Sequence, residues 1–316
     1  MRSKPTFAAL FPLSLSLSLS LSLALSLPPA AGIAQEPAAE PEISFASTEL
    51  APGLYMLEGV GGFAGGNLGV STGEDGVVLI DDGLPPLTDE LLAALAELGA
   101  EPVEFLINTH VHGDHIGGNE VLGRAGATIV AHDNLRQRLV DEGVSTGGGK
   151  VPAPAAALPV VTFADSVTFH LNGRSAYVFH VERAHTDGDA VIHFRDDNVI
   201  HAGDVLFSGL FPFIDLDSGG SVDGYLAAQK RILALADGET KIIPGHGELA
   251  TREDLAAAIA MLEDARGRVR ALVDAGRTKA EILAANPLAD YDDAWSWAFI
   301  TGERMTETLI RDLTGE

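Results

Sequence analysis

Seven consecutive residues, Thr109-His110-Val111-His112-Gly113-Asp114-His115, hold three histidines and one carboxylate. Neutral imidazole nitrogen and carboxylate oxygen are the donors that borderline divalent cations such as Zn²⁺ prefer, and four of them within six positions read as a metal-binding segment. Three later fragments offer donors of the same kind beside small residues that let backbone approach: Ala184-His185-Thr186-Asp187, His201-Ala202-Gly203-Asp204 and Pro244-Gly245-His246-Gly247. The chain has no cysteine. That removes thiolate from the possible ligands and disulfides from the possible sources of stability.

The elements around these fragments explain how they could converge. Val103 to Asn108 reads as a buried strand and Gly117-Gly118-Asn119-Glu120 as a turn into a helix, so the first cluster sits on a loop at a strand's C-terminal end. There the alternation of a strand no longer forces neighbours to opposite faces. Gly76 to Ile80 is a second buried strand ending in Asp81-Asp82-Gly83, followed by an amphipathic helix from Thr88 to Leu98. Each later fragment likewise follows or ends a strand. After a Gly/Pro/Ala-rich stretch at 147–159 the pattern turns to strands, then to helices from Ser221, with Thr278-x-x-Glu281 as a capping box. Both halves run strands first and helices after, which predicts two packed sheets with helices outside.

The first 34 residues differ from the rest. Arg2 and Lys4 precede a Leu/Ser run from Leu13 to Leu27, and Gly32-Ile33-Ala34 places small residues where a signal peptidase reads. The run is shorter than the ~20 residues that span a bilayer. Residues 1–34 are therefore expected to be a secretory signal peptide, 35–45 a flexible mature N-terminus, and 46–316 a single domain. The expected location is periplasmic, with no stable membrane anchor after cleavage. Net charge is −25, and loss of Arg2 and Lys4 takes it to −27. Such a surface repels phosphate backbones and excludes a nucleic-acid substrate, leaving a small molecule as the expected partner.

The ordered set Asp81, His110 to His115, His185, Asp204 and His246 resembles the five motifs of the metallo-β-lactamase superfamily, over roughly Gly53 to Gly247. The resemblance implies a four-layer αββα sandwich. It implies a first metal on His110, His112 and His185, a second on Asp114, His115 and His246, and Asp204 shared by both, with Asp81 or its neighbour Asp82 orienting the ligands. Two Zn²⁺ ions are the expected cofactor, iron and manganese being the other metals such a site admits. The expected reaction is attack of a metal-bound hydroxide on an acyl bond of a lactone, ester or β-lactam-type cyclic amide, with Asp114 shuttling a proton. The best-known exported lactamases of the family have Cys at the position of Asp204 and Lys at that of Phe207, so the metal site resembles the glyoxalase II and lactonase-like branches more. A persulfide dioxygenase-like iron enzyme and a phosphodiesterase are the alternatives. Phe63, in the Gly-rich loop between the first two strands, and Phe207, Phe211 and Phe213 are the expected pocket wall. Trp295 and Trp297 are expected to serve packing.

Overall fold

The computed structural model describes residues 42–146 and 149–315. The expected signal peptide and most of the expected flexible segment lie outside the described residues. The elements run β1 (Ser44–Ala51), β2 (Leu54–Val60), β3 (Leu68–Ser71), β4 (Val77–Ile80), α1 (Thr88–Glu97), β5 (Val103–Ile107), α2 (Asn119–Ala125), β6 (Thr128–His132), α3 (Asp133–Asp141), β7 (Val144–Thr146), β8 (Gly149–Val151), β9 (Val161–Phe163), β10 (Ser166–Leu171), β11 (Arg174–His180), β12 (Ala190–Phe194), β13 (Val199–Phe207), α4 (Val222–Leu235), β14 (Lys241–His246), α5 (Arg252–Asp274), α6 (Lys279–Ala285), α7 (Asp292–Trp295) and α8 (Gly302–Thr314). β1 begins two residues before the expected domain start, because Ser44 and Phe45 already pair with Val60 and Gly59. The 147–159 stretch, read as a loop, carries β8, half of a small hairpin with β7.

Two large sheets result, one in the order β1-β2-β3-β4-β5-β6-β9 and one in the order β10-β11-β12-β13-β14. Period-two alternation sends successive side chains of a strand into different layers. In β4, Val78 and Ile80 enter the apolar layer between the sheets, where they meet Val178, Ile192 and Phe194 of the other sheet. Val77 and Leu79 pack outward with Leu91 and Leu95 of α1. On the far side, Ile200 and Ala202 of β13 pack against Tyr225 of α4, Leu262 of α5 and Leu309 of α8. Helices thus cover both outer faces, the αββα order expected. Strands covered on both sides read as unbroken apolar runs, which is why all four residues of β4 are buried.

Parallel pairing places the site. β4, β5 and β6 run parallel in the first sheet, as do β13 and β14 in the second. Their C-terminal ends, with that of β11, supply the loops that carry the candidate ligands, matching the rule that sites form outside the carboxyl ends of parallel strands. Asp204 departs from the expectation that its strand ends there. β13 continues to Phe207, and its pairing with β14 breaks on both sides of Gly203, whose φ of 51° only glycine adopts without cost. That irregularity turns Asp204 into the site from within a strand.

Candidate metal centre

The chain brings seven donors together. His110, His112, His185 and Asp204 form one group and Asp114, His115 and His246 a second, the donor atoms within each lying inside 4.8 Å of one another. Asp204 stands between them: its Oδ2 is 3.6 Å from His110 Nε2, 3.4 Å from His185 Nε2 and 3.5 Å from His246 Nε2, and its Oδ1 is 3.1 Å from His115 Nε2. Asp114 Oδ2 lies 3.4 Å from His246 Nε2 and 3.8 Å from His115 Nε2.

The outer nitrogens show which way each ring is held. Asp81 is buried with a positive φ of 58°, and its Oδ1 accepts from the Thr109 amide at 2.7 Å. Its Oδ2 accepts from Thr109 Oγ1 at 2.7 Å and from His115 Nδ1 at 2.8 Å. Because the threonine proton goes to Asp81, Thr109 Oγ1 accepts from His110 Nδ1 at 3.0 Å. His185 Nδ1 donates to the Phe213 carbonyl at 2.7 Å, and His112 Nε2 donates to Asp215 Oδ2 at 2.9 Å. Each of these four rings therefore spends its N–H outward and presents a lone pair inward, the arrangement by which partners of a metal-ligating histidine fix its tautomer. Asp82 does something else. Its carboxylate accepts from the Gly118 amide at 2.8 Å, and it meets His115 only through the backbone, its N–H donating to the His115 carbonyl at 3.1 Å, so of the two candidates Asp81 is the one whose carboxylate holds a donor ring.

These inward lone pairs fit a cation. His185 Nε2 and His112 Nδ1 face each other at 2.8 Å, both with their proton on the other nitrogen. Buried His110 Nε2, His115 Nε2 and Asp204 Oδ1 have no hydrogen-bond partner among the described residues, a costly state for polar atoms that positive charge among them relieves. Burial holds His185 down to about 4, and His110 well below the ordinary imidazole value, so protonation is not what satisfies that group. In the second group burial also opposes charge, but Asp204 and Asp114 outweigh it, with Asp81 adding to the lift on His115, and raise His115 and His246, the latter to about 9. The carboxylates there call for positive charge, as a metal supplies.

Two glycines make room. A Cβ on Gly66 would overlap the His115 ring, and one on Gly245 would overlap Asp204 Oδ1. Asn67 pins the end of β14 by donating to Pro244 and Gly247 carbonyl oxygens at 3.0 and 2.9 Å.

A model described as the metallo-beta-lactamase superfamily matches residues 61–246. The chain belongs to this superfamily. As a member it is a metal-dependent hydrolase with a His/Asp metal-binding cluster. It is 30% identical over 214 residues to a hydroxyacylglutathione hydrolase of Methylococcus capsulatus, spanning 64% of this chain and 74% of that one. It is 33% identical over 126 residues to one of Synechococcus sp., spanning 40% of this chain and 43% of that one. It is 27% identical over 168 residues to the probable metallo-hydrolase YqgX of Bacillus subtilis, spanning 51% and 77%. Among solved structures it superposes on a metallo-beta-lactamase from Pontibacter korlensis with a TM-score of 0.57 at 20% identity, covering 70% of this chain and all of that one. It superposes on the sec-alkylsulfatase Pisa1 from Pseudomonas sp. with a TM-score of 0.63 at 18% identity, covering 86% of this chain and 50% of that one. At such identities the likeness is one of fold.

The expected pocket wall divides. Phe63 stacks on His246 with centroids 5.9 Å apart, Phe207 lies 5.0 Å from the same ring, and Phe213 is 5.7 Å from both His112 and His185. Phe211 does not belong with them. It is fully buried in the core beneath the outer helices, its amide bonded to the Trp295 carbonyl and its ring against Tyr291, so it serves packing. Trp297 departs the other way. Its indole N–H donates to the Phe211 carbonyl at 2.9 Å, which places its ring 6.1 Å from His246 and 5.9 Å from Phe207. Asp215 was legible only as a charge on a nearby loop; its bond to His112 spans 103 positions and no local pattern announces it.

Proposed function

We propose that this chain is an exported dinuclear zinc hydrolase that cleaves an acyl bond in a small molecule. The observation that carries the reading is Asp204, within 3.1 to 3.6 Å of histidines from both donor groups, the position of a carboxylate shared between two metals. Two metals held there would polarise an acyl carbonyl and lower the pKa of water, so that no serine or cysteine nucleophile is needed.

The chain's own residues account for the rest. Asp81 and Thr109 hold His115 and His110 in one tautomer, and Phe213 and Asp215 do so for His185 and His112, so the donors are set before substrate arrives. Asp114 is the donor carboxylate with the most contact with solvent. Burial tends to raise it, but His115 and His246 hold it down at about 2, so it stands ionised and weakly basic, suited to accept a hydrogen bond from the reacting water and to pass a proton on rather than keep it. Phe63, Phe207 and Trp297 wall the His246 side and shed water from it. The hydroxyacylglutathione hydrolases among the relatives support an acyl substrate, whereas the signal-like leader supports periplasmic export.

The test is turnover by the zinc-loaded mature protein on a panel of lactone, ester, thioester, β-lactam and phosphodiester substrates. Hydrolysis of at least one acyl compound is expected. Turnover confined to the phosphodiester, or oxygen uptake with a persulfide and stoichiometric iron, would overturn the assignment.

A further inference from the structure

Among the large hydrophobics left exposed in the described residues, the two aromatic ones are Phe63 at 57% and Phe299 at 45%. Both lie at the mouth of the metal centre. Exposed apolar side chains gathered at one place mark a ligand surface, whereas ones scattered singly do not.

The rings form a continuous strip. From His246 it passes to Trp297 at 6.1 Å, from Trp297 to Phe299 at 5.6 Å, from Phe299 to Phe213 at 5.3 Å, and from Phe213 back to His112 at 5.7 Å. Trp297 and Phe299 stand on a non-helical stretch between α7 and α8, outside the residues 61–246 that match the family.

At the outer end lies Arg304 of α8. Its guanidinium carbon is 4.0 Å over the Phe299 ring and 5.6 Å over that of Phe213. With the 5.7 Å step from Phe213 to His112, this bounds the span from guanidinium to metal ligand at about 11 Å. One of the five guanidinium N–H donors goes to the Phe299 carbonyl at 2.8 Å, and among the described residues Arg304 forms no ion pair. That is notable in a chain with 45 acidic and 20 basic residues. The acids on the facing loop are engaged elsewhere, Asp215 with His112 and Asp217 with Arg311 at 2.7 Å.

We propose that Trp297, Phe299 and Arg304 form a substrate-recognition subsite beside the metal centre, which takes an apolar chain or ring ending in an anionic group. This rests on the hydrolase reading above and names its substrate class: an acyl compound with an amphiphilic, negatively terminated tail. The aromatic strip receives the apolar part, and the unpaired donors of Arg304 receive the charge.

Binding without turnover tests it. The zinc-loaded protein is titrated with hexane-1-sulfonate, hexan-1-ol and methanesulfonate while Trp297 fluorescence is followed, with Trp297→Phe as the signal control. Hexane-1-sulfonate should bind at least about tenfold more tightly than either partial ligand, as expected when apolar burial and a charged hydrogen bond act together. Arg304→Met should lose about tenfold for the sulfonate and nothing for the alcohol, whereas Phe299→Ala should weaken both by about fivefold. Equal binding of the three ligands overturns the subsite. So does an Arg304→Met variant that keeps the sulfonate preference or loses the alcohol as well. Turnover of the lactone, ester, thioester and β-lactam panel, measured in parallel, reports on the hydrolase reading separately: no turnover of any acyl compound with the sulfonate preference intact would reject that reading and keep the subsite.

Discussion

Asp215→Asn isolates one link of the metal centre. The native carboxylate accepts from His112 Nε2 at 2.9 Å through Oδ2 and from the Asp217 and Ser218 amides at 3.1 Å each through Oδ1. Burial tends to raise this carboxyl, yet the His112 bond and the Ser218 contact hold it far below the ordinary carboxylate range, so it is fully ionised. Asparagine keeps the shape but has one acceptor oxygen, so it cannot serve the histidine and the loop amides together. Loss of a charge-assisted hydrogen bond costs about 1.5–3 kcal/mol, which is about ten- to a hundredfold in affinity. The loss should fall on one metal only. His112 belongs with His110 and His185, whereas Asp114, His115 and His246 have no contact with Asp215. Competition titration with a chromophoric zinc chelator, resolving two binding steps, should show one step weakened ten- to a hundredfold and the other unchanged within about threefold. Asp81→Asn should weaken both steps, since Asp81 reaches His115 directly and His110 through Thr109. Two unchanged steps in Asp215→Asn, or equal weakening of both, would refute the reasoning.

Three further outcomes follow from the same geometry. Gly245→Ala should abolish metal binding, because its methyl overlaps Asp204 Oδ1 and crowds the Gly203–Asp204 backbone, with the rest of the fold kept; metal analysis beside circular dichroism checks it. Chelation should lower the melting temperature by about 20 °C, since each of two metals at a thousand times its dissociation constant contributes about 4 kcal/mol, about 8 kcal/mol together, and each kcal/mol moves a domain of this size by about 2–4 °C. Acid should loosen α3 in metal-free protein: His132 stacks on His180 at 3.7 Å, donates from Nε2 to the Ala164 carbonyl and accepts the Asn134 amide at Nδ1, so only its neutral form caps the helix. Burial, then His180, lowers its pKa below 6.5, so this contribution is present above about pH 6.5 and is lost as pH falls through the window between 6.5 and the lowered folded value. Hydrogen exchange of α3 between pH 7 and 5 should show the loss, and His132→Asn, which keeps a cap acceptor, should remove it.

The segment from His110 to His115 was legible because it is dense in donors and follows a strand whose apolar run is visible, whereas His185, Asp204 and His246, each uninformative alone, were picked out by their joint order after it. Layering was legible for a similar reason, as Val77 to Ile80 could be buried on both faces only between a sheet and helices. What escaped depends on tertiary approach. Phe211 and Phe213 are two positions apart with the same side chain, yet one enters the core and the other faces two metal-ligand rings. Trp297 reaches the site because Trp295 and Trp297 are tied to the backbone of Phe211, a pairing across 84 to 86 positions with no sequence period behind it. Asp204 was identified, but the bulge at Gly203 that turns it inward within a continuing strand was not.

The central claim, two metals sharing Asp204, is tested most directly by metal stoichiometry in the purified protein and in His185→Ala and His246→Ala. Two metals per chain are predicted for the parent and one for each variant, with Asp204→Ala falling below one. A parent that binds a single metal, or variants that keep two, would contradict the account.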